Sequence, residues 1–265
     1  MTAPTILADE VHIGEGTVIH PSAVICGADG GNARRVEIGD HCYIGESVQI
    51  RCPEFKLGDY GRIHHHTNVH GYLPCTIGHN AWIGQYTIID SIGGTTVGDN
   101  CGIGAHSQLW SHIKHGDLLE GCRFMSEKPL VVGKDVWFVG HCIVSPIVAH
   151  DRSMAMVGSV VTRDLEPNHV YAGVPAVDIT DKVGPQFEDI ALSVKVDRLT
   201  SLLKESGVGP SSIGIAATPE EVGGDGLSWF IVNTRTYTKR NTPAEIAFMK
   251  FLLPARAKFT PADPV

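Results

Sequence analysis

The chain has 265 residues, enough for one large domain or for one domain with a smaller appendage. Its formal net charge of -8 argues against a broad nucleic-acid-binding or membrane-binding surface. The seven cysteines are scattered and form no CxxC pair, which favours buried thiols over a disulfide framework or a cysteine zinc site. No signal peptide and no apolar run of transmembrane length is recognisable. We therefore expect a cytoplasmic protein that binds no nucleic acid polymer and does not insert into a membrane.

A six-residue repeat runs through the first two thirds of the chain. An aliphatic residue followed by glycine or another small residue recurs at this spacing in sets of three. The sets are Ile13, Ile19 and Ile25; Ile38, Ile44 and Ile50; Leu57, Ile63 and Val69; Ile77, Ile83 and Ile89; Val97, Ile103 and Leu109; Val132, Phe138 and Val144; and the degraded set Ala149, Ala155 and Val161.

Each set predicts one coil of a three-sided solenoid. Every side is a short parallel strand, the repeated aliphatic residue points to the axis, and the small residue after it lies at the corner. A helix would need spacings of three and four, and an ordinary β-sandwich would not keep strict sixes over seven sets. The pattern predicts an all-β solenoid of about seven coils in residues 1–180.

The repeat is interrupted twice before it ends. Residues 27–36 are glycine-rich and predict an exposed loop, and residues 110–129 predict a longer loop excursion. The remaining residues, 181–265, predict a small α+β appendage. It comprises an amphipathic helix over 186–206, a linker over 207–226, a strand over 228–237, and a helix that Thr242 caps and that ends at Leu253.

Several motifs follow one another in the second half of the solenoid. They are QLWSHIKHGD at 108–117, VGKDVWF at 132–138, GSVVTRD at 158–164 and VYAGVPA at 170–176. This order resembles the hexapeptide-repeat acyltransferases, in particular the maltose, galactoside and xenobiotic acetyltransferases. The resemblance implies a left-handed parallel β-helix and transfer of an acetyl group from acetyl-CoA to a small acceptor. It covers residues 97–180 in motif detail and residues 10–180 by the repeat alone.

The resemblance also implies a loop histidine as general base. A thioester is already activated, so the demanding step is deprotonation of the attacking acceptor, and a neutral imidazole suits that role. His112 has the family's distance from Pro129 and a second histidine, His115, three residues later. We expect His112 to be the base, with His115 as the alternative, unless both are solvated loop residues. Asp117 or Glu120 is expected to orient the imidazole, or else to be a solvated loop charge.

The donor and acceptor are expected to contact further residues of these motifs. Trp137 would form a wall of the acceptor cleft, or pack as an ordinary aromatic residue. The turn at Gly158 and Ser159 would pass beside the pantetheine arm, and Arg163 and Lys182 are candidates for the CoA phosphates. Here MVGSVV at 156–161 replaces the family's GAGSVV, and Val139 replaces a glycine, so the chain departs from the family pattern along the expected path of CoA.

A second histidine group, at residues 64–66 and 70, has two interpretations. Imidazoles gather around zinc, and the related γ-class carbonic anhydrases are zinc β-helices, but the histidine spacings 106, 112 and 115 depart from the pattern of that class. We expect no metal, and expect His65 and His70 to contact the acceptor between neighbouring subunits of a homotrimer.

The sequence leaves the acceptor open. A sugar or nucleotide sugar is expected, with O- and N-acylation both possible, and the donor alternatives are a longer acyl-CoA or an acyl carrier protein. The alternatives to a CoA-dependent acetyltransferase are a zinc hydratase of the carbonic anhydrase kind and a non-catalytic β-helix binding scaffold.

Overall fold

The structure, a computed structural model, describes residues 3–209, 211–224 and 226–262. The chain divides into two compact units, one that ends at Phe187 and one that begins at Glu188. The predicted domain boundary after Thr180 stays a prediction.

Short strands follow one another through the first unit. They are β1 (Thr5–Ile6), β2 (Ala8–Ile13), β3 (Val18–Ile19), β4 (Val24–Cys26), β5 (Ala33–Ile38), β6 (Tyr43–Ile44), β7 (Gln49–Arg51), β8 (Glu54–Leu57), β9 (Arg62–Ile63), β10 (Asn68–His70), β11 (Cys75–Ile77), β12 (Trp82–Ile83), β13 (Ile88–Asp90), β14 (Thr95–Val97), β15 (Gly102–Ile103), β16 (Gln108–Leu109), β17 (Leu130–Val132), β18 (Trp137–Phe138), β19 (Ile143–Val144), β20 (Val148–Ala149), β21 (Met154–Ala155), β22 (Val160–Val161), β23 (Val170–Ala172) and β24 (Val177–Asp178). The helix α1 (Thr180–Val183) closes the series.

The strands stack into three parallel sheets, which are the three faces of a prism. Sheet A runs from β1 through β4 to β22, sheet B from β2 through β5 to β20, and sheet C from β3 through β6 to β21 and β23. Each coil contributes one strand to each sheet, and only β24 joins its neighbour antiparallel. This confirms the predicted left-handed parallel β-helix of about seven coils.

The core of the prism is the column of repeated aliphatic residues. Ile38 pairs with Leu57, Leu57 with Ile77, and Ile77 with Val97, so the sets predicted from the sequence align across coils. Every member from Ile25 to Val161 is at most 1% exposed. Burying one such side chain contributes about 1.5–3 kcal/mol, so stacked coils supply the core that a single coil lacks.

Carboxylates cap the corner between sheets B and C. Asp59 Oδ1 accepts a hydrogen bond from the Asp40 amide at 2.8 Å, and Asp99 Oδ1 accepts one from the His79 amide at 2.9 Å. A Cβ at Gly39 would lie 2.4 Å from Asp59 Oδ1, which explains the glycine that precedes the aspartate. The Gly-Asp turns predicted from the sequence therefore join successive coils through side-chain hydrogen bonds.

Almost all variation in coil length occurs at the corner from sheet A to sheet B, which we call the variable edge. The other two steps of each coil keep the six-residue spacing, whereas partners in sheet A are 19 residues apart at Ile50 and Val69 and 20 apart at Val69 and Ile89. They are 35 apart at Leu109 and Val144, where the loop of residues 110–129 leaves this same corner. Most coils thus exceed three six-residue steps at this edge, whereas the coil from Val144 to Val161 is one residue shorter.

The N-terminal interruption is shorter than the sequence predicted. Within residues 27–36, Ala33 and Val36 are buried and belong to β5, where they pair with Ala8 and Val11 of β2. Their apolar side chains extend the strand back toward the glycines, so only the first part of the segment forms a loop.

The second unit is the expected small α+β assembly. Its elements are α2 (Leu192–Ser206), β25 (Ile213–Ala216), a 3₁₀ turn (Pro219–Glu221), β26 (Ser228–Ile231), β27 (Thr236–Tyr237), α3 (Pro243–Leu252) and β28 (Thr260–Pro261). The predicted linker was wrong at residues 213–216, because β25 pairs parallel with β26 there. The single predicted strand over 228–237 is instead the antiparallel pair β26 and β27. The Thr242 cap is confirmed, since its hydroxyl accepts from the Glu245 amide.

Candidate active site

A buried carboxylate lies at the variable edge. Asp90 ends β13 and is 0% exposed. Its Oδ2 accepts hydrogen bonds from the Ser111 amide at 2.9 Å and from the Ser111 hydroxyl at 2.6 Å. A buried charge of this kind is costly unless it is hydrogen-bonded, so the site holds Asp90 in a defined orientation.

His112 is the third partner of the same oxygen. Its Nδ1 lies 2.8 Å from Asp90 Oδ2, and its side chain is 20% exposed. An ionised carboxylate only accepts, so Nδ1 carries the proton and donates it to Asp90. Nε2 is then the unprotonated nitrogen, which is the form a general base requires.

The backbone around this pair is closely packed. The Gly93 amide donates to Ser111 Oγ at 2.9 Å, and a Cβ at Gly93 would lie 2.1 Å from the Ser111 carbonyl oxygen. Glycine is therefore required where the loop of residues 110–129 departs beside the previous coil. The loop itself is closed by the Ile113–Ser126 bridge and by an ion pair between Lys114 and Glu127.

The carboxylate that contacts His112 is not one of the two that the sequence suggested. Asp117 Oδ1 instead accepts from the amides of Leu119 and Glu120 at 2.8 and 3.3 Å and shapes the turn of the loop. Glu120 and His115 are exposed on the same loop. The carboxylate in contact with His112 is Asp90, which is 22 residues before it in sequence but adjoins it across one coil, and the orienting role expected of Asp117 or Glu120 stays a prediction.

The rings of Trp110 and His70 also lie at the variable edge, beside His112. Trp110 makes edge-on contacts with His112, at 6.0 Å between ring centroids, and with His70, at 6.5 Å. His70 ends β10 and pairs with Asp90 of the next coil. The structure therefore brings His70, Asp90, Trp110 and His112 together at the variable edge.

His65 lies on a different edge of the prism, at the corner from sheet C to sheet A. His66, Tyr86, His106 and His141 occupy the same position in successive coils, each with positive φ, and their rings stack at 4.9–5.1 Å. His65 contacts His66 and Tyr86 at the start of this column. We call this corner the ring edge.

The other predicted residues are divided between these edges and a face. Gly158 and Ser159 continue the ring edge, and an added Cβ at Gly158 would meet no atom within 4 Å. Arg163 directly follows Thr162 and β22, at the variable edge. Trp137 is 46% exposed on sheet C, where it packs over Gly102. Lys182 is exposed on α1. Within a single chain, His112 therefore lies on a different edge from Gly158 and away from the face that carries Trp137.

Sequence reasoning missed Asp90, Ser111 and Trp110. Asp90 follows the inward-facing Ile89, at a position where the two preceding coils carry Arg51 and His70. A carboxylate at this position, one coil before the loop, was the available indication.

The cysteines are free thiols. Burial raises the pKa of Cys42 and of Cys52 to about 12, so these two thiols stay protonated. Burial also raises the pKa of Cys75, with the nearby charge of Asp90 as a smaller cause. These properties are those of packing residues, as the scattered spacing predicted.

Among the residues that the structure describes, no group of three His, Cys, Asp or Glu side chains is arranged to hold a metal ion. None of the helices described is both long enough and apolar enough to cross a membrane.

Part of the chain is similar in sequence to known proteins. The galactoside O-acetyltransferase of Escherichia coli strain K12 is 32% identical over 136 residues, which cover 50% of this chain and 60% of the relative. The chain resembles the hexapeptide-repeat acetyltransferases. No protein-family model matches the chain.

A second curated protein and a solved structure are also similar to the chain. The bifunctional protein GlmU of Anaplasma marginale strain Florida is 32% identical over 112 residues, which cover 40% of this chain and 23% of the relative. A maltose O-acetyltransferase from Clostridium difficile 630 has a TM-score of 0.37 and 23% identity, over 55% of this chain and 70% of that one. The chain thus spans less than two thirds of the curated relatives that it matches.

Proposed function

We propose that the chain is a CoA-dependent acyltransferase that moves an acetyl or other short acyl group from acyl-CoA to a hydroxyl or amine of a small acceptor. The observation that carries the proposal is the hydrogen bond from His112 Nδ1 to the buried Asp90 carboxylate. It gives the loop histidine a fixed tautomer with a free Nε2, and the galactoside O-acetyltransferase relative supports the type of reaction.

The transfer step uses His112 twice. Nε2 takes the proton of the acceptor hydroxyl or amine while the acceptor oxygen or nitrogen attacks the thioester carbonyl carbon. The tetrahedral intermediate then collapses, the C–S bond breaks, and the departing CoA sulfur takes the proton from the His112 imidazolium. Asp90 stabilises that imidazolium through Nδ1. Because the acceptor attacks the thioester directly, no covalent acyl-enzyme is needed.

A sugar or nucleotide sugar is the proposed acceptor. The galactoside relative supports a carbohydrate. Trp110 offers an aromatic surface beside His112, and aromatic rings pack well against the apolar faces of sugars. Trp137, His65 and His70 remain the proposed acceptor contacts from the sequence, with His70 reconsidered below.

Acetyl-CoA is the proposed donor. Gly158 lies at an open turn beside which the pantetheine arm can pass, with Ser159 buried next to it, and Arg163 and Lys182 are the proposed phosphate contacts. The proposal is tested by calorimetric titration of CoA and by release of free thiol from acetyl-CoA with a panel of sugars, amino sugars and nucleotide sugars. Micromolar CoA binding and acceptor-dependent thiol release are expected. The absence of both CoA binding and thiol release would overturn the proposal. Thiol release only from a longer acyl-CoA would change the proposed donor.

A homotrimer is the proposed assembly. The catalytic pair lies at the variable edge, whereas the proposed pantetheine turn lies at the ring edge, with sheet A between them. A complete site therefore needs the ring edge of a second copy, and closed cyclic symmetry provides this contact for each of three subunits.

Hybrid assemblies test this arrangement. His112→Ala impairs the variable edge, and Gly158→Tyr fills the ring edge at a position where other coils carry His or Tyr with positive φ. Each variant alone is expected to be inactive. After the two are unfolded and refolded together, random trimers should regain about a quarter of the sites. Light scattering that shows a monomer, or hybrids without any regained activity, would contradict the shared site.

A further inference from the structure

A second imidazole faces Asp90 from the preceding coil. β10 pairs with β13 in register, which places His70 directly beside Asp90 in sheet A. His70 Nε2 lies 3.4 Å from Asp90 Oδ1, the oxygen that His112 does not use. The carboxylate is therefore flanked by two imidazoles, one at each oxygen.

The two oxygens of Asp90 are unequally satisfied. Oδ2 accepts from the Ser111 amide, the Ser111 hydroxyl and His112, whereas Oδ1 has no hydrogen-bond partner and is buried. A buried carboxylate oxygen without a hydrogen-bond partner leaves part of the cost of removing it from water uncompensated. At 3.4 Å, His70 Nε2 is beyond ordinary hydrogen-bond length but within ion-pair distance of that oxygen.

The rest of His70 points to the same partner. Its side chain is 34% exposed, and its Nδ1 is buried and has no hydrogen-bond partner. Nε2 is thus the nitrogen that faces a charged group. Trp110 contacts both His70 and His112 and limits the movement of either ring.

We propose that His70 is a positioning residue that acts on His112 through Asp90, rather than a contact for the acceptor. An N–H at His70 Nε2 directed to Oδ1 keeps the carboxylate ionised. If Asp90 took up a proton, its hydroxyl would donate to His112 Nδ1, and the imidazole proton would move to Nε2. That tautomer has no free Nε2 and cannot accept the acceptor's proton. The catalytic consequence rests on the proposed acyltransferase function.

Two amide side chains at position 70 test the proposal. Gln places its Nε2–H₂ group near the position of the imidazole Nε2, whereas Asn is one methylene shorter and does not reach Oδ1. We expect His70→Gln to stay within about threefold of wild type in kcat. We expect His70→Asn to lose about tenfold or more in kcat, with the KM values for acceptor and CoA within about threefold. Both substitutions are polar and neutral, so circular dichroism and thermal unfolding should show both variants folded.

The tautomer of His112 is measured separately. In ¹⁵N–¹H spectra of the imidazole rings, assigned through His112→Ala, the wild type and His70→Gln should show the Nδ1–H tautomer alone. His70→Asn should show a mixture. His79 supplies the matched control, because its Nδ1 lies 3.8 Å from Asp59 Oδ2 on another corner of the same coils, and His79→Gln should leave the His112 spectrum unchanged.

The outcomes distinguish the proposed role of His70 from the proposed acyltransferase function. A higher acceptor KM with an unchanged kcat and tautomer would overturn the proposal in favour of direct acceptor contact. Equal behaviour of Gln and Asn would also overturn it. If the chain transfers no acyl group, the spectra still decide whether His70 governs the His112 tautomer, so failure of the proposed function is distinguishable from failure of this inference.

Discussion

The variable edge and the ring edge are built from the same repeat but differ in chemistry. At the ring edge each coil keeps its six-residue spacing, each corner residue has positive φ, and the side chains stack outside the core. At the variable edge added residues widen the corner, and Asp90 and Ser111 become wholly buried. The ring edge buries small hydroxyl side chains such as Thr67, Thr87 and Ser107 beside its exposed rings, whereas the lengthened corner encloses a carboxylate. The departures from the repeat, rather than the repeat, create the candidate active site.

The largest expected effect at the variable edge is the loss of His112. His112→Ala should lower kcat by about 10²–10⁴-fold, because it removes the proposed general base. His115→Ala should cost much less, since His115 is exposed on the loop. Steady-state kinetics on both variants, with the fold checked by circular dichroism, make the comparison. Near wild-type turnover of His112→Ala would show that the variable edge does not supply the general base.

The next effect comes from the charge of Asp90. Asp90→Asn keeps the shape and an acceptor oxygen but cannot stabilise the His112 imidazolium, so kcat should fall by about 10–100-fold. CoA affinity measured by calorimetry should stay the same, because the proposed pantetheine turn lies on the ring edge. Asp117→Asn is the matched control and should keep most of the activity. Equal losses of kcat in the two variants would argue against Asp90 as the carboxylate that orients His112.

The smallest effect concerns stability at the ring edge. Burial lowers the pKa of His64, whose ring packs against Trp82 at 4.9 Å, with the charge of Arg62 as a further cause. The unfolded chain takes up a proton near pH 6.5, and the folded chain does so only at lower pH, so stability is lost as pH falls through this window. His64→Phe should reduce the loss in unfolding free energy between about pH 7.5 and about pH 5.5. An unchanged pH dependence would show that His64 does not contribute.

The fold was largely predictable because one local rule repeats. The inward aliphatic residues determine the register, and the partners found in the structure, such as Ile77 with Val97, are those that the spacing aligns. The prediction failed where tertiary pairing overrides composition. Ala33 and Val36 form a strand beside glycines, and residues 213–216 pair with β26 inside an apparent linker.

The site was only partly predictable. His112 could be selected from its loop and from its distance to Pro129, and the structure adds a partner for it. That partner, Asp90, could not be identified, because closeness across coils depends on the length of each corner. Asp117 is the nearer carboxylate in sequence, but it accepts hydrogen bonds from backbone amides of its own loop.

The long separation across the loop has a consequence for folding. Thr95 pairs with Leu130, 35 residues along the chain, whereas Cys75 pairs with Thr95 only 20 residues away. Loop-closure entropy grows slowly with length, and even a doubling costs only about 0.6 kcal/mol. The coil that carries the excursion therefore forms at nearly the same entropic cost as its neighbours. A solenoid of this kind can therefore change the length and sequence of the loop beside Asp90 with little penalty in folding, while the prism stays the same.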